Sequence, residues 1–105
     1  MATVIQSKQQ FAGVFGELWL VTETVNFGNA TTGSGTFASV DVTVPNVAIG
    51  DVVLGVAMGV DTVDGVVAGA VTAANVVTLT LLNNSAGAID LASTTCKFIV
   101  GRPTW

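Results

Sequence analysis

Residues 36–44 read TFASVDVTV, and they are followed by a proline corner and by a second apolar run over residues 52–56. One face of the extended stretch is apolar and consists of Val40, Val42 and Val44. The opposite face is polar and consists of Ser39, Asp41 and Thr43. This period of two is typical of a β-strand with one buried side. Pro45-Asn46 ends the strand, because proline lacks the N–H group that a strand ladder needs.

Composition indicates a domain that associates. The chain has 105 residues, enough for one domain, and 50% of them are hydrophobic while 10% are charged, against about a quarter in typical domains. A chain of this size buries only about two-thirds of its unfolded surface on folding. Some apolar side chains must therefore stay outside the core, and monomers rarely expose large apolar patches. We expect an oligomer or a subunit of a larger assembly.

Charge and hydropathy exclude several classes of function. The net charge is −4, and the three basic residues Lys8, Lys97 and Arg102 are scattered, whereas a nucleic-acid-binding protein needs a concentrated basic surface. The longest apolar run, residues 52–60, is shorter than the about 20 residues of a membrane-spanning helix. The chain has no histidine, which is the commonest acid–base residue of enzymes. We expect no nucleic-acid partner, no membrane, no cofactor and no enzymatic activity.

Two weak chemical signals have structural interpretations. Asp61 and Asp64 form the only close carboxylate pair, but calcium takes about six to eight oxygen ligands. We interpret the pair as part of a solvated hairpin turn, and a cation site is the alternative. Cys96 is the single cysteine, and we expect it to be a small buried residue of a strand.

The N-terminal segment, residues 1–16, shows no clean period. We predict an extended arm, with a short amphipathic helix over residues 4–12 as the alternative. The apolar anchors of this arm, which would contact a partner surface or a neighbouring subunit, are Val4, Ile5, Phe11 and Phe15. At the other end, residues 101–105 form a tail in which Trp105 is a further candidate contact.

Residues 17–105 are predicted to form one domain of short strands. Strands are expected at residues 18–25, 36–44, 52–56, 66–72, 76–82 and 94–100, with a loop over 26–35. The Asp64-Gly65 pair is a hairpin signal, and residues 73–75 form the next turn. Short strands separated by turns predict an all-β fold, a small β-sandwich or jelly roll with an extended N-terminal arm.

The same patterns predict the core and a subunit interface. The expected core residues are Val40, Val42, Val77, Leu79, Leu81 and Phe98. Residues 66–72 consist mostly of small side chains, which allow close approach between subunits. The candidates for this interface between subunits are Ala68, Gly69 and Ala70.

Two longer segments read VDVTVPNVAIGDVVLGV, residues 40–56, and GVVAGAVTAANVVTLTLLNNSAGAIDLAS, residues 65–93. These segments resemble small virion proteins of tailed phages. In that group a strand ends in a Val-Pro corner, an Ile/Val-Gly-Asp turn starts the next strand, and a later strand reads A-V-T-A-A-N-x-V-T-L. An Asn-x-x-x-Gly-x-x-Asp/Asn loop follows, matched here by Asn83, Gly87 and Asp90. The resemblance covers residues 39–100.

The resemblance implies a structural role with no catalytic residues. Modules of that group are small β-sandwiches or jelly rolls, usually trimeric, found in head-decoration (cement) proteins, head fibres and tail-fibre tips. For this chain it implies a homotrimer that lies on the outer capsid surface of a virion and contacts the major capsid protein. The alternative is a receptor- or glycan-binding module of a head or tail fibre. A stand-alone module without a fibre shaft resembles a cement protein more closely.

Overall fold

The computed structural model of the chain describes residues 3–7, 13–30, 36–84 and 87–105. These residues form nine β-strands and no helix. The strands are β1 (Thr3–Ser7), β2 (Phe15–Val25), β3 (Asn29–Ala30), β4 (Thr36–Thr43), β5 (Val52–Met58), β6 (Gly65–Ala73), β7 (Val76–Asn83), β8 (Ile89–Asp90) and β9 (Thr94–Pro103).

Two antiparallel sheets pack together into a β-sandwich, which confirms the predicted fold class. One sheet has the strand order β1-β2-β9-β5, the other has the order β4-β7-β6, and β3 pairs with β8 in a short ribbon. The core lies between the two sheets. Its fully buried side chains include Trp19, Val21 and Val100 from the first sheet and Val77, Leu79 and Leu81 from the second.

The predicted core is confirmed except at one position. Val42, Val77, Leu79, Leu81 and Phe98 are buried, but Val40 is only half-buried and packs against the margin of the core. Val40 and Val42 both lie on β4, an edge strand that leaves one flank of a side chain without a neighbouring strand. Val42 is next to the corner, where Val44 and Val47 are also buried, whereas Val40 is two residues farther from it.

The proline corner carries the chain from one sheet to the other, because β4 and β5 belong to different sheets. It is fixed by the turn between β6 and β7. Asn75, with a left-handed φ of 65°, accepts a hydrogen bond from the Val44 amide and donates one to the Val47 carbonyl. Its side-chain Oδ1 accepts a further bond from the Asn46 amide. The two quoted segments therefore meet at this corner as well as along the β4–β7 ladder.

The N-terminal segment differs from the predicted free arm. Residues 3–7 are extended, but they form the edge strand β1, which pairs antiparallel with residues 18–22 of β2 in the same chain. This pairing satisfies the backbone groups of the segment that face β2, and Val4 packs against the core. The alternative of a helix is wrong for residues 4–7, and Phe11 lies outside the described residues.

Strand β2 begins earlier and strand β9 ends later than predicted, and these two extensions pair with each other. β2 begins at Phe15 rather than at Leu18, and β9 continues to Pro103, so most of the expected tail is strand. The Phe15 ring lies over Gly101, where an added Cβ would be 2.7 Å from the ring. Only glycine leaves room for this contact, which extends the β2–β9 ladder beyond the local apolar pattern.

Candidate interaction surfaces

The outer face of the β1-β2-β9-β5 sheet, here called the four-stranded face, carries an apolar row across all its strands. Ile5 pairs with Leu20, and Leu20 pairs with Ile99. On β5 a bulge between Val53 and Val56, with Gly55 at a φ of 125°, places Leu54 beside them. All four side chains are exposed.

A groove of about 460 Å³ runs along the four-stranded face. Besides the apolar row, it is lined by Thr22, Ala57 and Lys97. Lys97 lies in register with Thr22 on one side and with Ala57 on the other. Within the described residues its ammonium group forms no ion pair. The face is therefore an apolar surface with one cation available to a partner.

The outer face of the β4-β7-β6 sheet, here called the three-stranded face, also has an apolar row. Phe37 pairs with Leu82, and Leu82 pairs with Val66. Their exposed fractions are 65%, 40% and 56%, respectively. The row crosses all three strands at one end of the sheet.

Three polar side chains of the three-stranded face are bonded to one another. The Thr78 hydroxyl donates to the Asp41 carboxylate at 2.7 Å. Because that hydroxyl proton is committed to Asp41, the Thr72 hydroxyl is the donor in its 2.7 Å contact with Thr78. This polar chain joins β6 to β7 and β7 to β4. It gives the single carboxylate of this face a partner within the molecule.

The small-residue strand divides between the inside and the outside. Ala68 and Ala70 are exposed on the three-stranded face, and with the threonines they line a shallow hollow of about 180 Å³. Gly69 points inward, where an added Cβ would meet Leu79 and Val53 at 3.0 and 3.1 Å. Of the three interface candidates, the two alanines present side chains to a partner, whereas Gly69 serves the packing of the two sheets.

A charged cluster that the sequence patterns did not predict lies at the proline corner. Arg102 of β9 donates to both carboxylate oxygens of Asp51, at 3.0 Å from Nε and 2.9 Å from Nη2, and its Nη2 also donates to the Asn46 carbonyl at 2.8 Å. The side chain of Asp51 is only 5% exposed. The hydrogen bond to Asp51 is the main cause of a raised pKa of Arg102, which burial opposes.

The rest of this cluster fixes the corner to the core. Asp51 accepts a hydrogen bond from the Ala48 amide at 2.9 Å, and the Arg102 guanidinium lies 5.1 Å from the centre of the Trp19 ring. The indole N–H of Trp19 in turn donates to the Pro45 carbonyl at 3.1 Å. A bidentate arginine–carboxylate pair holds its two side chains in a fixed orientation. The cluster acts as a structural clamp on the Gly-Asp turn of the quoted motif.

The predicted contact residues at the chain ends lie in three different places. Ile5 is exposed within the four-stranded face, whereas Val4 packs toward the core. Phe15 is half-buried, and its ring centre lies 5.9 Å from that of Trp105. Trp105 itself is 80% exposed at the end of the sandwich. The structure therefore separates Ile5 from the aromatic pair of Phe15 and Trp105.

The two weak chemical signals have local explanations. Asp61 accepts a hydrogen bond from the Val63 amide at 2.9 Å, which closes the exposed turn that also contains Asp64. In the described parts of the chain, no three acidic, cysteine or histidine side chains cluster as metal ligands would. Cys96 is buried, as expected, and burial raises the pKa of its thiol.

The loop motif of Asn83 has a packing explanation. Asn83 is fully buried, and its side-chain amide donates to the Gly87 carbonyl at 2.8 Å. A buried amide needs such a partner, because an unsatisfied polar group inside a protein is costly. The Asn-x-x-x-Gly spacing is therefore a loop-closing device.

Comparison with protein-family models, with curated proteins and with solved structures finds no match for this chain. Across the described residues, no helix has the length and hydropathy needed to cross a membrane. The function of the protein is therefore inferred from the chain's own residues and from its two outer faces.

Proposed function

We propose that the chain is a structural virion protein, a capsid decoration (cement) protein that binds the outer head surface of a phage as a homotrimer. In this role it stabilises contacts between neighbouring copies of the major capsid protein. The observation that carries the proposal is that both outer faces of the sandwich have exposed apolar rows. A solitary soluble domain seldom exposes two such surfaces. The resemblance of residues 39–100 supplies the virion context.

Two apolar faces match the two kinds of contact that a decoration protein makes. It must bind its own copies, and it must bind the shell. The four-stranded face suits the shell, because its groove combines aliphatic side chains with the ammonium group of Lys97, which has no ion pair among the described residues. The complementary capsid surface would be apolar and would place a carboxylate opposite Lys97. Like-charged or strongly polar surfaces would not fit this groove.

The location of the chain tests the proposal. Purified virions that contain it are analysed by quantitative mass spectrometry and imaged with the protein labelled. We expect label over the whole head and a copy number comparable to that of the major capsid protein. Few copies confined to a fibre would instead support the receptor- or glycan-binding alternative. Absence from purified particles would overturn both virion roles.

The face assigned to the shell has its own test. Undecorated heads are mixed with wild-type protein, with Leu54→Lys, or with Val63→Lys. Both residues are exposed aliphatics, but Leu54 lies in the groove whereas Val63 lies in the turn before β6. We expect Leu54→Lys to lose head binding and Val63→Lys to keep it. Equal binding by the two variants would remove the four-stranded face from the capsid contact.

A further inference from the structure

We infer that the three-stranded face is the contact between copies of this chain, in a closed ring where the β4 edge of one copy packs against the β6 edge of the next. This inference rests on the self-association that the proposed function requires. It adds the surface, the direction of the contact and the residues, which include Phe37, Leu82 and Val66. These three were not among the residues expected from the sequence.

The first argument is the cost of removing the face from water. The hydroxyl groups of Thr72 and Thr78 and the carboxylate of Asp41 already form a hydrogen-bonded chain across the three strands. Burial of polar groups is tolerated when their hydrogen bonds are satisfied and is costly when they are not. Covering the three-stranded face therefore leaves the Asp41 carboxylate with one hydrogen-bond donor, although this neutral hydroxyl does not cancel its charge. On the four-stranded face, covering Lys97 requires that the partner bring an anion.

The second argument is the distribution of charge. Copies that packed through their four-stranded faces would bring the ammonium group of Lys97 toward its own counterparts, and like charges across an interface are unfavourable. The described outward positions of the central strand β7 are uncharged. They are Val76, Thr78, Thr80 and Leu82. Asp41 lies on the edge strand β4, so the Asp41 carboxylates of neighbouring copies would be apart from one another in a ring. The charges thus favour self-association through the three-stranded face.

The third argument is shape. One edge of the face carries Phe37, which is 65% exposed, and the other edge carries Ala68 and Ala70 beside the hollow of about 180 Å³. A large side chain at one edge and small ones at the opposite edge of the same face are complementary when identical copies meet edge to edge. Such a contact is heterologous, and it closes into a ring when the rotation between copies is suitable. In the ring, β7 faces the symmetry axis and Leu82 lies near that axis. Phe37 covers Val66 and Ala68 of the next copy.

A matched pair of variants tests which face associates. Leu82→Glu and Ile99→Glu place the same charge on middle strands of the two faces, at residues that are 40% and 39% exposed. Sedimentation velocity at micromolar concentration compares both with the wild type, and circular dichroism checks that each is folded. We expect the mass of Leu82→Glu to fall to that of one chain, 10.6 kDa, while Ile99→Glu keeps the wild-type mass. The opposite pattern would overturn the inference.

Disulfide trapping tests the ring directly, and it gives a result even if Leu82→Glu does not fold. The double variant Phe37→Cys, Val66→Cys places one thiol on β4 and one on β6. These strands flank β7, so the two positions are about 10 Å apart within one chain, beyond the Cα separation of about 7 Å that a disulfide spans. Cys96 is buried and does not compete. Under mild oxidation we expect covalent trimers on a non-reducing gel.

The outcomes separate the inference from the proposed function. Covalent trimers together with a monomeric Leu82→Glu support the ring. A wild-type oligomer that gives no cross-link, only dimers, or a ladder beyond trimers overturns the ring but leaves an oligomeric virion protein in place. A wild-type chain that sediments as a monomer overturns both the inference and the proposed homotrimer.

Discussion

The two outer faces of the sandwich have similar apolar rows but opposite polar chemistry. On the four-stranded face, Lys97 lies in the groove without an ion pair among the described residues. On the three-stranded face, Asp41 is bonded to Thr78, which is bonded to Thr72. The charged group of one face thus has no ion pair among the described residues, whereas that of the other has a hydrogen-bond donor within the chain. This difference indicates that the faces serve different partners.

The largest expected effect checks which sides of the strands form these faces. Leu79 lies on the inner side of β7, beneath the three-stranded face, and is fully buried. Leu79→Ala should lower the free energy of unfolding by about 2–5 kcal/mol, because it removes buried methyl groups and leaves a cavity. Leu54→Ala makes the same change on the four-stranded face, where we expect a change within about 0.5 kcal/mol. Urea unfolding of both variants at equal protein concentration measures the difference.

Equal effects of the two leucine variants would contradict the register of β7. A shift of one residue would exchange the inner and outer sides of the strand. Leu82 would then belong to the core, and the apolar row of the three-stranded face would not exist. The comparison of the two faces depends on this register.

The next effect separates stability from association. The clamp of Arg102 and Asp51 lies at the proline corner, apart from both apolar rows. Asp51→Ala should cost about 1–3 kcal/mol of stability, because hydrogen bonds to charged groups are lost and the arginine is left without its partner. Light scattering should show an unchanged oligomer. Asp64→Ala removes an exposed turn carboxylate and serves as the control, with an expected change within about 0.5 kcal/mol.

A loss of association in Asp51→Ala would contradict the separation of the clamp from the interface. It would show that the corner itself takes part in the contact between copies. The stability change alone, with the oligomer intact, is the result that the structure predicts.

The alternating patterns of β4 and β7 were sufficient to predict those strands, because each has one buried side and the turn between β6 and β7 is local. The pairing of β1 with β2 could not be predicted in this way. β1 is an edge strand of five residues in which Val4 packs against the core, and so short a segment shows little periodicity. The extension of β9 depends on Phe15 covering Gly101, a contact between distant parts of the chain.

The candidate surfaces were predicted only in part, for the same physical reason. Ala68 and Ala70 could be chosen from local composition, but the side to which Gly69 points depends on the pleat of β6. The partner of Arg102 is 51 residues away, at Asp51. The apolar row of Phe37, Leu82 and Val66 exists only through strand pairing. Sequence patterns reveal periodicity within a strand, whereas surfaces arise from the register between strands.

A smaller effect tests the polar chain of the three-stranded face. Thr78→Val removes the hydroxyl that links Thr72 to Asp41, and it leaves the carboxylate without this donor. We expect association to weaken by about 1 kcal/mol per copy, roughly fivefold in the association constant. Thr22→Val makes the same change on the four-stranded face and should leave self-association unchanged. Sedimentation equilibrium over a range of concentrations measures both constants.

Unchanged association in Thr78→Val would mean that the polar chain does not prepare the face for burial. A stronger oligomer would mean that the hydroxyl opposes contact, and that the desolvation argument has the wrong sign. Weakening by Thr22→Val to the same extent would assign self-association to both faces.

The smallest effect concerns the inner side of the four-stranded sheet and the thiol of Cys96. Its pKa is raised because burial disfavours the thiolate. The unfolded chain therefore ionises first as pH rises: the contribution to stability is complete below the ordinary thiol pKa of about 8.5 and declines at higher pH. We expect a slight fall in the urea midpoint between pH 8 and pH 10 that is absent in Cys96→Ala. An equal fall in Cys96→Ala would assign the effect to another group.

Thiol labelling shows the same inside–outside difference without unfolding the protein. Cys96 and Ile99 are three residues apart on β9, one fully buried and the other 39% exposed on the four-stranded face. At pH 8 an aromatic disulfide reagent should label the introduced thiol of Ile99→Cys at once, whereas Cys96 should react only as fast as the chain opens.

Because the isolated protein lacks the capsid, the four-stranded face should stay accessible in the oligomer. The thiol of Leu82→Cys should be protected in any oligomer that persists and should react rapidly once dilution separates the copies. Rapid labelling of Leu82→Cys within an intact oligomer would place the contact between copies elsewhere, and slow labelling of Ile99→Cys would place it on the four-stranded face.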